Sequence, residues 1–200
     1  MKPEMNSRKQ YVIPVFDPIK LEDIKPGSAL LIYGKNNLTR FHGQYRREVF
    51  GRADRVPTHA ALFVEKPHWI LDPTLKTGFS MIQEYINKGY QIDVIDYYMS
   101  LEQRGIALDK AKEIGMREGF YDLRGYGAFA SQMPFMSWVS VFIKPSKKGF
   151  FCSDAVVYCL QTVAGVQVSA WGNNESAPVD LLLFAYVYGR SCGKIYTLVE

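Results

Sequence analysis

The chain reads as an α+β domain, a small antiparallel sheet packed against helices, and three observations lead there. Short apolar runs bounded by glycine, proline or polar residues recur in the first half, at Ala29–Tyr33, "THAALFVE" (58–65), "HWILDPT" (68–74) and "QIDVIDY" (91–97). Longer segments with helical spacing follow them, at 101–119, 152–165 and 177–189. Strands therefore precede most of the helices instead of alternating with them, which is the α+β order rather than the parallel α/β one.

Each element has its own local reason. "KPGSALLIYG" is a turn that feeds a short strand, Ala29–Tyr33, with a glycine on either side. "THAALFVE" and "HWILDPT" flank "KPH" and read as a hairpin whose apolar faces meet. "QIDVIDY" alternates apolar and polar, the period of a strand. In "LEQRGIALDKAKEIGMREG", Ile106, Leu108, Ala111, Ile114 and Met116 form the apolar side of a helix, with Gly119 as its C-terminal cap. A second helix begins at Cys152 and stops near Gly165; a third contains "APVDLLLFAYVYG", where Pro178 suits the first turn. "KIYTLV" supplies a last strand.

No internal repeat or Pro/Gly-rich linker interrupts the chain, so a single domain is expected over residues 21–200, behind a polar tail at 1–20. A hydrophobic share of 48% in 200 residues is enough for a proper core. The net charge of +4 is too small to mark a nucleic-acid partner, and none is expected. The first twenty residues lack the apolar stretch of a secretory signal. No run approaches the roughly 20 apolar residues of a membrane span. Three cysteines without CxxC spacing build neither a disulfide framework nor a zinc site, and no metal or cofactor is expected.

Two of those cysteines lie in "GFFCSDAVVYCLQTVAG" (149–165). Cys152 stands where the helix begins, with Ser153 and Asp154 in the first turn. Unpaired N–H groups at a helix start favour negative charge, and a cysteine there becomes a thiolate when a cation assists. Cys159, two turns further in among Val156, Leu160 and Val163, reads as core. Cys192, in "GRSCGK", reads as part of a glycine-flanked turn. Free cysteines mostly pack and do no chemistry, so Cys152 needs partners to be more than core. His59 at the start of one hairpin strand and Asp72 at the end of the next are such partners: nucleophile, base and orienting acid. A histidine on an apolar strand is equally readable as packing, and spacing alone leaves both readings open.

The ordered set "IKPGSALLIYG", "THAALFVE", "WILDPT", "YDLRGYG", "FFCSDAVVYCL" and "APVDLLLFA" resembles that of the circularly permuted papain-like amidases, spanning roughly residues 24 to 185. These are bacterial and viral proteins related to NlpC-type cell-wall peptidases and to lecithin:retinol acyltransferase. In papain the cysteine precedes the histidine; here the histidine comes first, as in the permuted group. The resemblance implies Cys152 as nucleophile, His59 as general base and Asp72 as third residue, a place where relatives often have glutamate or histidine. Glu65 and His68 are the other polar residues near enough in sequence to serve. After the glycine of "KPGSALL" the family usually has aspartate and this chain has Ser28, a difference read as structural.

The oxyanion formed by thiolate attack needs donors. The backbone N–H of Cys152 is the first, and Tyr121 is a second contributor, a wall of the site, or a packed residue beside Asp122. Two segments bear on the substrate. Arg40, Arg46, Arg47, Arg52 and Arg55 precede His59 and suit a carboxylate or phosphate, or form a solvated loop with Glu48 and Asp54. The apolar insert 129–143, with Phe135, Met136, Trp138, Val139 and Phe142, suits an acyl groove or a peripheral membrane contact assisted by Lys144, Lys147 and Lys148, or is core or a partner interface.

The expected function is thus a cysteine hydrolase that cleaves an amide in a peptidoglycan-type peptide through an acyl-enzyme. The alternatives are a lipid-directed thioesterase or acyltransferase, and a non-catalytic member of a larger assembly such as a virion. A wall-directed enzyme without a signal peptide would act from the cytoplasm at lysis or from a phage particle, so a cytoplasmic or virion-associated location is expected.

Overall fold

A computed structural model of the chain describes residues 16–34, 56–65, 67–73, 78–117, 152–170, 172 and 176–199. Its centre is a mixed sheet of seven strands: β1 (Asp17–Lys20), β2 (Ala29–Tyr33), β3 (His59–Glu65), β4 (Trp69–Leu71), β5 (Phe79–Met81), β6 (Gln91–Tyr97) and β7 (Gly193–Val199), in spatial order β1-β7-β6-β2-β3-β4-β5. The helices are α1 (Ile82–Asn87), α2 (Leu101–Gly115), α3 (Cys152–Val157) and α4 (Pro178–Cys192). A π-helical stretch, Tyr158–Val163, continues α3, and a single 3₁₀ turn, Leu21–Asp23, follows β1.

The mixed α+β class expected from the sequence is what forms, but the sheet is not small and not wholly antiparallel. Asp17–Lys20, which composition placed in the tail, pairs in parallel with β7 at the sheet edge. The physical reason it escaped notice is that "DPIK" is mostly exposed and contains Pro18, which an edge strand tolerates because one row of its N–H groups faces away from the ladder. β5 and α1 have three and six residues, too few to show a period. The other strand pairs are antiparallel, including the β3–β4 hairpin, with Leu62 opposite Leu71. Its turn holds His68 at φ 79°, a left-handed conformation that side-chain-bearing residues seldom adopt.

Both faces of the sheet are covered, so β2 and the middle of β3 are apolar on both sides. Ala29, Leu31, Ala60, Leu62, Val64, Leu71 and Ile95 face one side, against Ala107 and Ala111 of α2, Val156 of α3, Leu160, and Leu181 and Leu182 of α4. The alternate residues Leu30, Ile32, Ala61, Phe63, Ile70, Ile92 and Val94 face the other side, against Ile82, Tyr85 and Ile86 of α1. Each large aliphatic or aromatic side chain so enclosed contributes about 1.5–3 kcal/mol relative to exposure.

Ser100 caps α2 through its side chain, and Gln103 returns the contact to the Ser100 N–H. α2 buries Ala107, Ala111 and Ile114, whereas Ile106 and Met116 point outward, so its apolar side is narrower than the sequence suggested. It also stops at Gly115, with Met116 as cap instead of Gly119. The helix end is closely crossed: a Cβ on Gly78 would fall 2.6 Å from Gly115 Cα, and one on Gly115 would meet the Phe79 ring, so both positions have to be bare. α4 begins at Pro178 as expected but runs on to Cys192, which is therefore the last residue of a helix and not part of a turn.

Candidate active site

His59 opens β3 and Asp72 follows β4 directly. Extending the Leu62–Leu71 register by one pair sets Asp72 across from Ala61, which makes His59 its diagonal neighbour on the same side of the hairpin. The side chains close that gap: His59 Nε2 lies 2.5 Å from Asp72 Oδ1. The Asp72 side chain is 1% exposed, so its charge must be met by donors inside the fold. His59 supplies one, Tyr85 Oη donates to Oδ2 at 2.7 Å, and Ser80 lies close enough to the same carboxylate to help hold its charge. The imidazole also lies against the Tyr85 ring, with centroids 5.9 Å apart and planes 19° from parallel.

Cys152 approaches from the opposite layer. It is the first residue of α3, whose Ala155, Val156 and Val157 are buried against β3 and its neighbours. A hydroxyl chain anchors this helix start: Ser153 Oγ donates to the Ser176 carbonyl at 2.6 Å, and Ser176 Oγ lies 2.9 Å from Ser169 Oγ. The loop before α4 thus fixes where α3 begins. Cys152 lies close enough to the His59 side chain and to the backbone N–H groups of Ala60 and Ser153 for each of them to stabilise a charge on its sulfur. With Nε2 committed to Asp72, Nδ1 is the ring nitrogen left for Cys152.

The three groups shift one another's ionisation. For His59, burial works against the charged form, but the negative charge of Cys152 and the hydrogen bond to Asp72 overcome it and raise the pKa to about 10. For Cys152, burial favours the neutral thiol, and the His59 charge, its hydrogen bond and the Ala60 and Ser153 N–H groups outweigh that and hold the pKa below the ordinary thiol range. For Asp72, burial is likewise outweighed by His59, Tyr85 and Ser80, and the carboxyl stays below its ordinary value. The arrangement favours a thiolate beside an imidazolium. A sulfur anion so placed can attack a carbonyl carbon, and the imidazolium holds a proton for the group that departs.

The other thiols lack such company. Cys159 sits in the π-helical stretch, fully buried, and burial pushes its thiol up to about 12. Cys192 is half-buried at the end of α4. Neither Glu65 nor His68 replaces Asp72: Glu65 pairs with Lys112 at 2.8 Å on the surface, and the His68 ring faces Phe63. Ser28 is fully buried, and its hydroxyl meets no partner among the described residues.

Tyr121 and the five arginines before His59 lie outside the described residues, as does the whole insert 129–143 with Trp138. Tyr85 and Ser80 are contacts that sequence reasoning missed. A tyrosine thirteen residues after the aspartate carries no motif, and only the packing of α1 brings it to the site. Among the described residues no group of three or more His, Cys, Asp or Glu is placed to hold a metal ion, and no helix is long and apolar enough to cross a membrane. No protein-family model matches the chain, and no curated protein matches its sequence.

Proposed function

We propose that this chain is a cysteine hydrolase of the permuted papain-like kind, cleaving an amide bond in a peptide of the peptidoglycan type through an acyl-enzyme. The single observation that supports it most is the joining of His59 to both Asp72 and Cys152, residues from a hairpin and from a distant helix start. Packing alone gives no reason to bury an ionised carboxylate, an imidazole and a thiolate side by side, since each charge costs desolvation.

The residues divide the reaction as follows. The Cys152 sulfur adds to the carbonyl carbon, and the resulting oxyanion is met by N–H groups at the start of α3, where Cys152, as first helical residue, has no intrahelical acceptor for its own N–H. The C–N bond breaks as His59 passes its proton to the departing amine, which leaves a thioester on Cys152. Water then gives a proton to His59 and adds to the thioester carbon. Collapse expels the thiolate and releases the carboxylic acid, and Asp72 keeps the ring oriented through both halves.

The test is digestion of purified peptidoglycan and of synthetic stem peptides by the wild type and by Cys152→Ala, followed by mass spectrometry. New amine and carboxylate ends are expected with the wild type alone, together with a transient mass increase on Cys152. Release from acyl thioesters with no peptide cleavage would turn the assignment to a lipid-directed enzyme. No turnover of either class, with Cys152 no more reactive than Cys192, would leave a non-catalytic domain.

A further inference from the structure

The described part of the molecule offers a cleft of about 790 Å³ between β1, α1 and β7, scattered exposed apolar side chains such as Leu101, Met116 and Tyr188, and the contact of Tyr85 with the candidate site. Only the last has chemistry attached to it. Tyr85 belongs to α1, on the face of the sheet opposite the helix that brings Cys152. It touches the site twice, its hydroxyl donating to Asp72 Oδ2 and its ring stacking on His59.

We infer that Tyr85 is a positioning residue: it fixes the Asp72 carboxylate and the His59 ring together, so that Nε2 stays with Asp72 and Nδ1 stays with Cys152. This rests on the function proposed above and adds a fourth residue to it. The reasoning starts from the two oxygens of Asp72. A carboxylate with one oxygen on the imidazole and the other unpaired can turn about its Cβ–Cγ bond and leave Nε2. A donor on Oδ2, with Ser80 close to the same carboxylate, removes that freedom. Asp72 then orients the imidazolium without neutralising it, and the charge that holds the Cys152 thiolate is preserved.

The ring adds what the hydroxyl cannot. Nearly parallel planes leave the imidazole one flat surface to lie on, which opposes rotation about its Cβ–Cγ bond. Tyr85 is itself held in place by the Tyr90 ring at 6.0 Å and by Lys88 Nζ, 5.7 Å from its centroid.

The experiment compares wild type, Tyr85→Phe, Ser80→Ala and His59→Ala by the rate of Cys152 alkylation with iodoacetamide across pH. Tyr85→Phe keeps the stacked ring and loses only the donor. Its acid limb, the pH at which the thiolate is protonated and reactivity falls, is expected to move up by about one pH unit, because a carboxylate no longer held at Oδ2 turns off Nε2 and stabilises the imidazolium less. Ser80→Ala is expected to move it in the same direction and less, and serves in its place if Tyr85→Phe does not fold. A residue that merely packs would change the melting temperature and leave the limb where it is. A stationary limb in the folded variant, with His59→Ala still strongly impaired, overturns the role of Tyr85 and leaves the proposed function standing. Unimpaired alkylation in His59→Ala overturns the function itself.

Discussion

Asp72 Oδ1 lies 2.5 Å from His59 Nε2, a contact made diagonally across a hairpin whose turn is only a few residues away. The link is local in sequence, and it extends to Cys152 some ninety positions later, which places the whole ionic group under the control of one buried carboxylate. Asp72→Asn keeps the shape and removes the charge. Alkylation of Cys152 at pH 6 is expected to fall about ten- to a hundredfold, the effect of losing one partnered charge in a buried site. An unchanged rate would mean that Asp72 serves packing alone.

Under the proposed function, the pH dependence of turnover follows from the two shifts taken together. The nucleophile is present above the depressed pKa of Cys152, and the proton donor is present below the raised pKa of His59, about 10. Peptide cleavage is expected to be bell-shaped, rising on the acid side and lost near pH 10 as the imidazolium gives up its proton. Alkylation needs only the thiolate and is expected to stay high on the alkaline side. Both curves falling together near pH 10 would contradict this division of roles.

Cys159 offers the contrasting thiol. It is fully buried, and burial pushes its pKa up to about 12. In the folded protein it is expected to resist iodoacetamide at every pH where Cys152 reacts. Cys159→Ala is expected to cost about 1–2 kcal/mol in chemical denaturation through the small cavity it leaves, with Cys152 reactivity unchanged.

Two serine substitutions, one far from the sulfur and one beside it, separate stability from chemistry. Ser100→Ala removes the N-cap of α2 and is expected to cost about 1 kcal/mol without moving the Cys152 pH profile. Ser153→Ala breaks the link from α3 to the Ser176 carbonyl. It is expected to cost about 1 kcal/mol and also to slow Cys152 alkylation, since it frees the helix start that places the sulfur. Denaturation midpoints and alkylation rates measured on the same samples distinguish the two patterns.

Much of this site was legible in the chain because its parts are local signals. The β3–β4 hairpin, the strand Gln91–Tyr97 and the helix start at Cys152 each have a bounded apolar pattern, and the structure places His59, Asp72 and Cys152 together. What stayed hidden depends on tertiary context. β1 pairs only because β7 returns to the sheet edge from the far end of the chain. Tyr85 reaches Asp72 through a helix of six residues, too short for a hydrophobic period. The bare crossing of Gly78 on Gly115 at the end of α2 is announced by no pattern within either segment. The π-helical continuation of α3 is likewise invisible in "YCLQTV", which reads as ordinary helix.

The most direct measurement is the thiolate absorbance of Cys152, taken as the ultraviolet difference between wild type and Cys152→Ser while the pH is raised, and repeated with His59→Ala. In the wild type the thiolate is expected well below the ordinary thiol range, with the transition moving up by several pH units when His59 is removed. A wild-type transition near pH 8.5 that the His59 substitution does not move would contradict the ion pair, and with it the proposed chemistry.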